Sequence, residues 1–196
     1  MPAPHDGPGR APTSEAALRE ATVGGLSPHG ATITLADYDP RWPELFEREA
    51  QRVRAALGGA ALRVEHVGST SVPGLCAKPV IDILLAVADS ADEAAYLPPL
   101  RQAGYTLRIR EPGWYQHRLL NGPDTDVNLH VFSAGCPEID RMPRFRDRLR
   151  ADERDRDAYA ATKRALAGQV WWHVQHYADA KSAVVQEIMD RADTDR

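Results

Sequence analysis

Several features that would narrow the function of this chain are scarce or missing. The 196 residues include two cysteines, Cys76 and Cys136, too few for a disulfide framework, which favours free thiols and a cytoplasmic location. No apolar run approaches the length of a membrane span, and no charged start followed by an apolar stretch suggests a secretory signal. A net charge of −4 without a basic block disfavours nucleic acid as the main partner.

Lysine is also scarce. Of the 24 basic residues only three are lysines, at positions Lys78, Lys163 and Lys181. The chain otherwise uses arginine, as a GC-rich genome would. A lysine retained against that bias can mark a place that needs a compact ammonium rather than a planar guanidinium. Chance is the alternative explanation.

The overall composition is that of an ordinary globular protein. Hydrophobic residues make up 43% and charged residues 27%, and the length suits one domain with a real core. Residues 1–30 are rich in Pro, Gly, Ala and Ser, which predicts a disordered or loosely ordered N-terminal arm with a short helix across 14–22. The domain itself is expected over residues 31–192.

The periodicity of apolar residues predicts mostly strands first and helices later. One helix is expected to open at 39–43 and to end at Gly58-Gly59, and others are expected at 89–103, 137–151, 155–167 and 173–192. Strands are expected at 31–35, 61–67, 80–88, 105–110, 114–120 and 126–132. The 80–88 strand is nearly continuous in apolar residues, so it should be central. This order predicts an α/β fold: a mixed sheet of about five strands, flanking helices and a helical C-terminal part.

The strongest chemical signal is a turn rich in Gly, Ser and Thr that leads into an apolar strand with one acid. Such a turn presents backbone N–H groups and hydroxyls that suit a phosphate, although any turn uses these residues. Asp82 follows Ser69 by thirteen residues, and a carboxylate on a buried strand needs a cation or a donor. A bond to Lys78 or to the backbone is the structural alternative. The turn residues proposed for phosphate are Gly68, Ser69 and Thr70.

Further polar residues are candidates for a site around Asp82. Alternation places Asp126, Asn128 and His130 on one face of the 126–132 strand, and we expect this polar row to face Asp82 if the two strands are neighbours. His130 could then serve as a metal ligand, a general base or a substrate anchor, and a structural hydrogen bond is the alternative. His66 precedes the turn and could orient it or contact the substrate.

Two pairs of residues on the later helices are candidate phosphate ligands, and Arg146 and Lys163 are the favoured members. Arg146 and Arg150 share a helix face at i and i+4, as do Tyr159 and Lys163 on the next helix. They are plausible clamps for a triphosphate or another anionic substrate. The run over 141–157 is dense in both charge signs, so a solvated face is the alternative.

Taken together, these residues resemble the GrpB-like family of the nucleotidyltransferase superfamily. The superfamily pattern is a Gly-Ser turn followed by a strand with one or two carboxylates, and Gly68, Ser69 and Asp82 match it. The resemblance implies a nucleotidyltransferase-like fold. It extends from about residue 33 to residue 192 and includes Tyr38-Asp39-Pro40, Trp42, Leu129-His130-Val131, Phe145-Arg146-Asp147 and Lys163.

The resemblance also implies an activity: use of ATP or another NTP, with Mg²⁺, to activate or modify a small-molecule acceptor. Adenylylation of a carboxylate would also serve amide or ester ligation. Mg²⁺ would neutralise the triphosphate and the leaving pyrophosphate. The implied roles are phosphate binding by Gly68, Ser69, Thr70, Lys78, Arg146 and Lys163, metal binding by Asp82 and Asp126, catalysis by Asp82 and His130, and substrate contact by His66 and Asn128.

One position departs from the superfamily pattern. The usual second carboxylate lies two residues after the first on the same strand face, and Leu84 occupies that position. A single acid holds Mg²⁺ only with help from waters and phosphates. The departure leaves an alternative function: a catalytically retired module that binds a nucleotide or coenzyme A and regulates a partner.

Overall fold

The computed structural model describes residues 13–25 and 32–194, which form a mixed sheet with helices on both faces. Within these ranges the sheet has five strands in the order β1-β2-β5-β4-β3. The strands are β1 (Arg63–Val67), β2 (Ile81–Val87), β3 (Thr106–Glu111), β4 (His117–Asn121) and β5 (Val127–Ser133). The helices are α1 (Glu15–Ala21), α2 (Trp42–Leu57), α3 (Glu93–Gln102), α4 (Glu138–Ala151), α5 (Glu153–Ala167), α6 (Val174–Asp179) and α7 (Ser182–Thr194).

The two faces of the sheet are covered differently. β2 is an interior strand and runs parallel to β5, the middle strand, while the other neighbouring pairs are antiparallel. Ile83 and Leu85 point to the face covered by α2 and α3, where the largest apolar cluster lies. Leu84 and Phe132 point to the opposite face, under α4. Side chains that alternate with the main core on β2 and β5 therefore share the face that α4 covers.

The C-terminal helices pack against the segment that follows the turn. Val72, Leu75 and Cys76 are buried in one cluster with Leu149 of α4 and Ile188 of α7, and α5 contributes to the same cluster. Because this segment links the turn to β2, its burial draws the helical C-terminal part to the edge of the sheet where the site lies.

One predicted strand does not form. Residues 32–35 adopt no regular structure, and residue 31 lies outside the described residues. The backbone N–H of Ile33 donates to the carbonyl of Ala167 at 3.2 Å, and Ala36 forms only an isolated bridge with Ala77. The backbone groups of this segment therefore form their hydrogen bonds with α5 and with a loop, and not with a strand of the sheet.

Two other element boundaries differ from the predictions. The helix expected over 173–192 breaks after Asp179, and Lys181 lies at the break between α6 and α7. The strand expected from residue 114 begins at His117, because Tyr115 and Gln116 have positive φ values of 51° and 55° and form a turn.

The predicted short helix near the N-terminus is α1, which Ser14 caps by accepting from the N–H of Ala17. The N–H of Val23 then donates to the carbonyl of Arg108 in β3. Residues 1–12 and 26–30 of the predicted arm lie outside the described residues, so the arm and its boundary at residue 31 stay predictions. Among the helices in residues 13–25 and 32–194, none combines the length and apolarity needed to cross a membrane.

Candidate active site

Asp82 lies near the start of β2, beside the polar side chains of β5. The register pairs Asp82 with Asn128 and Leu84 with His130. Asn128 Nδ2 donates to Asp82 Oδ1 at 3.0 Å, and His130 Nε2 lies 3.6 Å from the same oxygen. Asn128 and His130 therefore face Asp82, as the alternation predicted.

The Asp82 carboxylate is held in its ionised form. Burial raises its pKa, but the contacts with His130 and Asn128 and the charge of Lys78 lower the pKa by more, so the net shift is downward. An anionic oxygen pair at this place can attract a metal ion.

Asp126, the third member of the polar row, lies one residue before β5 and is exposed. Burial lowers the pKa of Lys78, and the charges of Asp82 and Asp126 oppose that shift. Asp126 thus acts on Lys78, and its role as a metal ligand stays a prediction. Over residues 13–25 and 32–194 no three His, Cys, Asp or Glu side chains are arranged to hold a metal ion. A metal at Asp82 would need other ligands from water or a bound substrate.

The turn approaches Asp82 so closely that only glycine fits at position 68. Gly68 has φ 68°, which favours glycine, and a Cβ built there would lie 2.3 Å from Asp82 Oδ2. The Gly-Ser turn and the acid are therefore in direct contact, although thirteen residues separate Ser69 from Asp82 in the chain.

This contact makes a testable prediction. Gly68→Ala should destabilise the protein more than Gly74→Ala. Both glycines have positive φ, 68° and 79°, so alanine costs roughly 1–2 kcal/mol of backbone strain at each. Gly74 has open space around the added Cβ, whereas Gly68 faces Asp82. Chemical denaturation should show an excess loss of about 1–3 kcal/mol for Gly68→Ala. Equal losses would mean that the turn can move away from Asp82 freely.

Thr70 and His66, predicted to contact phosphate and substrate, bond to each other within the turn. Thr70 is buried and its hydroxyl donates to the carbonyl of Val80 at 3.1 Å. Since a hydroxyl has one proton, His66 Nε2, 3.1 Å away, must be the donor to Thr70 Oγ1. The His66 ring is buried and stacked on Phe46, and burial lowers its pKa to about 4. Thr70 and His66 therefore stabilise the turn from within, and their contacts with a phosphate or a substrate stay predictions.

Arg146, predicted to bind phosphate, is paired with groups of the protein itself. Its guanidinium donates to Glu65 Oε2 at 2.8 Å, to the carbonyl of His66 at 2.8 Å and to Asp147 Oδ1 at 2.7 Å. Arg150 donates twice to the carbonyl of Ser71, at 3.0 and 2.7 Å. Both arginines thus fix the backbone on either side of the turn; Arg146 is also paired with two carboxylates, and its contact with a triphosphate stays a prediction.

The three lysines, in contrast, act on one carboxylate. Burial lowers the pKa of all three lysines, to about 7 for Lys163 and to about 8 for Lys181. The charge of Asp82 opposes the shift in each of them. Lys163 is 2% exposed, and its Nζ donates to the carbonyl of Cys76. The charge of Lys181 also lowers the pKa of Lys78 and of Lys163, as a like charge does.

Tyr159 brings α5 into the same region. Its ring lies 5.2 Å from Lys163 Nζ, and its hydroxyl contacts Ser69 of the turn. Burial raises the pKa of Tyr159 to about 12, the Ser69 contact lowers it and Asp82 raises it. The phenol is therefore neutral and can donate a hydrogen bond beside the turn.

Two of these residues were absent from the predicted site. Lys181 was one of the three retained lysines, and that scarcity was the signal that pointed to it. Tyr159 was seen only as a helix-face neighbour of Lys163. Leu84, at the position of the missing second carboxylate, is fully buried with Val67 and Phe132 under α4. A carboxylate there would be buried in an apolar cluster.

The fold and the site together define an α/β protein with a mixed five-stranded sheet and flanking helices, in which a Gly-Ser turn lies against a strand that carries one acid. A sequence model of the family described as GrpB protein matches residues 32–191. The chain belongs to the GrpB family, and the predicted family and fold class are confirmed.

Relatives and a solved structure agree with this assignment. The chain is 65% identical over 192 residues to a UPF0157 protein of Halalkalibacterium halodurans, covering 98% of each chain. It is similar to the crystal structure of conserved protein GrpB from Enterococcus faecalis, with 31% identity and a TM-score of 0.69 over 81% of this chain and 96% of that one. A dephospho-CoA kinase of Mycolicibacterium paratuberculosis is 30% identical over 188 residues, which cover 83% of this chain and 46% of that longer protein.

Proposed function

We propose that this chain is a metal-dependent, nucleotidyltransferase-like enzyme that uses ATP or another nucleoside triphosphate to activate or modify a small-molecule acceptor. The observation that carries the proposal is the close approach of Gly68, in the Gly-Ser turn, to the ionised carboxylate of Asp82. Against the effect of burial, the charge of that carboxylate raises the pKa of Lys78, Lys163 and Lys181, the three lysines of a chain that otherwise uses arginine for positive charge, and we assign these lysines to the phosphates.

The charge balance of the site favours an anionic ligand. The charge of one carboxylate, Asp82, acts on three lysine ammonium groups, and burial lowers the pKa of all three. Buried like charges are costly unless an opposite charge joins them. A triphosphate would supply that charge and raise the lysine pKa values again. Ser69 and Tyr159 offer hydroxyl groups at the same place.

The donor atoms at Asp82 fit a divalent metal ion. Asp82 supplies a carboxylate, Asn128 fixes one of its oxygens, and His130 supplies a nitrogen beside it. A bound ion would neutralise phosphate charge and leave the α-phosphate open to attack. Mg²⁺ is the ion that the family resemblance implies. His130 stands where it can contact either the ion or the acceptor.

The acceptor is a small molecule in this proposal. Transfer of AMP to a carboxylate would give a mixed anhydride and release pyrophosphate. Attack of an amine or a hydroxyl on the anhydride would then give an amide or an ester and release AMP. We place the activity in the cytoplasm, because both cysteines of the chain, Cys76 and Cys136, are free thiols.

Leu84 supports a second candidate, a catalytically retired module that binds a nucleotide or coenzyme A. The position of the second acid is buried and apolar. Relatives named dephospho-CoA kinase carry the matching segment within a longer chain, which suits a regulatory role next to a coenzyme A enzyme.

The test is a screen of carboxylate, amine and hydroxyl acceptors with ATP, GTP, CTP or UTP and with Mg²⁺ or Mn²⁺, read by pyrophosphate release. We expect metal-dependent release with one class of acceptor. Asp37→Asn, which changes an exposed acid, should behave as the wild type. Tight binding of a nucleotide or coenzyme A without pyrophosphate release would favour the retired module. Absence of any binding would contradict both functions.

A further inference from the structure

A series of hydrogen bonds crosses the sheet from the site to its far edge. His130 Nδ1 lies 3.1 Å from His117 Nε2 on β4, and His117 Nδ1 lies 2.8 Å from Glu111 Oε2 at the end of β3. The register explains the alignment, since His117 pairs with Glu111 and Leu119 pairs with His130. We call Glu111, His117 and His130 the His–Glu network.

The two rings of this network are held firmly. His117 is 3% exposed and stacks on His130, with centroids 5.3 Å apart, and on Phe132, at 4.7 Å. Trp114 packs edge-on against His117 at 5.1 Å. The orientation of the His130 ring is thus set by aromatic packing as well as by its hydrogen bond.

The network also sets which His130 nitrogen carries the proton. A carboxylate only accepts hydrogen bonds, so His117 Nδ1 is the donor to Glu111. With His117 neutral, its Nε2 accepts and His130 Nδ1 must donate. In this tautomer, which a bound metal ion requires, His130 Nε2 carries a lone pair and is the nitrogen that points at Asp82; with no ion bound, a proton on Nε2 would instead lower the pKa of Asp82.

The gap between His130 Nε2 and Asp82 Oδ1 suits a shared ion. At 3.6 Å it is too long for a hydrogen bond. Two adjacent ligands, each about 2.1 Å from one metal ion, lie roughly 3–3.5 Å apart. A hydrogen-bond acceptor behind a metal-binding histidine fixes the ring and its tautomer; His117 has that place behind His130 and is itself held by Glu111.

We infer that Asp82 and His130 together bind a divalent transition-metal ion such as Mn²⁺ in preference to Mg²⁺, and that His117 and Glu111 are positioning residues for this nitrogen ligand. Mg²⁺ prefers an all-oxygen shell, whereas sites with a nitrogen ligand bind first-row transition metals more strongly. The inference rests on the proposed function in taking Asp82 as a metal ligand. Water and phosphate oxygens would complete the shell.

The experiment uses Mn²⁺ alone, without nucleotide. Calorimetric titration of the full chain should give at least about 10-fold tighter binding of Mn²⁺ than of Mg²⁺. Electron spin-echo modulation of the bound Mn²⁺ should show a directly coordinated nitrogen, and His130→Gln should remove it. His176→Gln, which changes a histidine on α6, is the matched control and should leave the signal unchanged.

The positioning role has its own variants. His117→Phe keeps an aromatic ring in the stack but removes the acceptor for His130 Nδ1, and Mn²⁺ affinity should fall about 10- to 100-fold. Glu111→Gln keeps the shape of the side chain and removes the charge, so it should weaken Mn²⁺ binding in the same direction even if His117→Phe fails to fold. Wild-type affinity in Glu111→Gln would overturn the positioning role.

Two outcomes separate this inference from the proposed function. Pyrophosphate release without a nitrogen signal in the wild type, or with a signal that survives His130→Gln, would overturn the inference and leave the function standing. A nitrogen signal that His130→Gln removes, in a protein that binds no nucleotide, would support the inference and overturn the function.

Discussion

Asp82→Asn should reduce metal-dependent nucleotide binding by at least about 100-fold and leave the fold intact. Changes to groups that only support a metal ligand typically cost 10- to 100-fold, so loss of the anionic ligand itself should cost no less. Asparagine can still accept from Asn128 Nδ2 through its own oxygen, because the two side chains have the same shape. The charge that draws a metal ion and balances three lysines is lost.

Calorimetric titration of MgATP and MnATP into the wild type and Asp82→Asn measures this effect, and thermal unfolding checks the fold. Asp37→Asn is the control, because Asp37 is an exposed acid on the same chain. Equal nucleotide affinities in the wild type and Asp82→Asn would show that Asp82 is a structural residue whose partners are Asn128 and Lys78.

Lys163→Met should weaken triphosphate binding by about 1.5–3 kcal/mol, roughly 10- to 150-fold, as expected for a lost charge-assisted hydrogen bond. Methionine fills a similar volume, so the buried position stays packed. Lys163→Arg should recover only part of the affinity, because the larger planar fork does not fit a pocket that encloses a single ammonium. Arg164→Met is the matched control, since Arg164 is the exposed neighbour on α5.

The same variant has a pH signature. Burial lowers the pKa of Lys163 to about 7 and of Lys181 to about 8 in the folded protein, while an unfolded lysine keeps its proton to about pH 10.4. The unfolded state therefore binds more protons above pH 7, and stability should rise with pH from there. In Lys163→Met that rise should begin near pH 8 instead. Triphosphate affinity of the wild type should fall over the same range, because an anion binds the charged amine.

Denaturation midpoints and nucleotide affinities measured from pH 6 to pH 9 test both statements. An unchanged affinity in Lys163→Met, together with a large drop in melting temperature, would show that Lys163 serves the fold through its bond to the Cys76 carbonyl. The C-terminal helices would then contribute no residue directly to the site.

The sequence predicted the central features of the fold because they are periodic and local. The apolar run of β2, the alternation along β5 and the end of α2 at Gly58 are each readable within a few residues. Predictions failed where neighbours in space replaced the expected partners. Residues 32–35 look like a strand by composition, but their backbone bonds go to Ala167 and a loop.

The roles of charged side chains were harder to predict from the sequence than the positions of the helices and strands. Arg146 and Lys163 looked alike in sequence, as exposed cations at helical spacing. The structure surrounds Arg146 with Glu65 and Asp147 and buries Lys163 near Asp82. Which cation faces the site depends on which helix face meets the turn, and that is decided by packing between segments that lie far apart along the chain.

The sequence by itself determined a Gly-Ser turn, one acid on a central strand, a polar row on a second strand and three lysines kept against an arginine bias. These follow from residue type, spacing and period, which act over short stretches. Only the tertiary structure decided that Gly68 touches Asp82, that all three lysines act on that carboxylate and that His117 and Glu111 stand behind His130. Each of those contacts joins elements whose distance is set by sheet order and helix packing, and no local pattern encodes it.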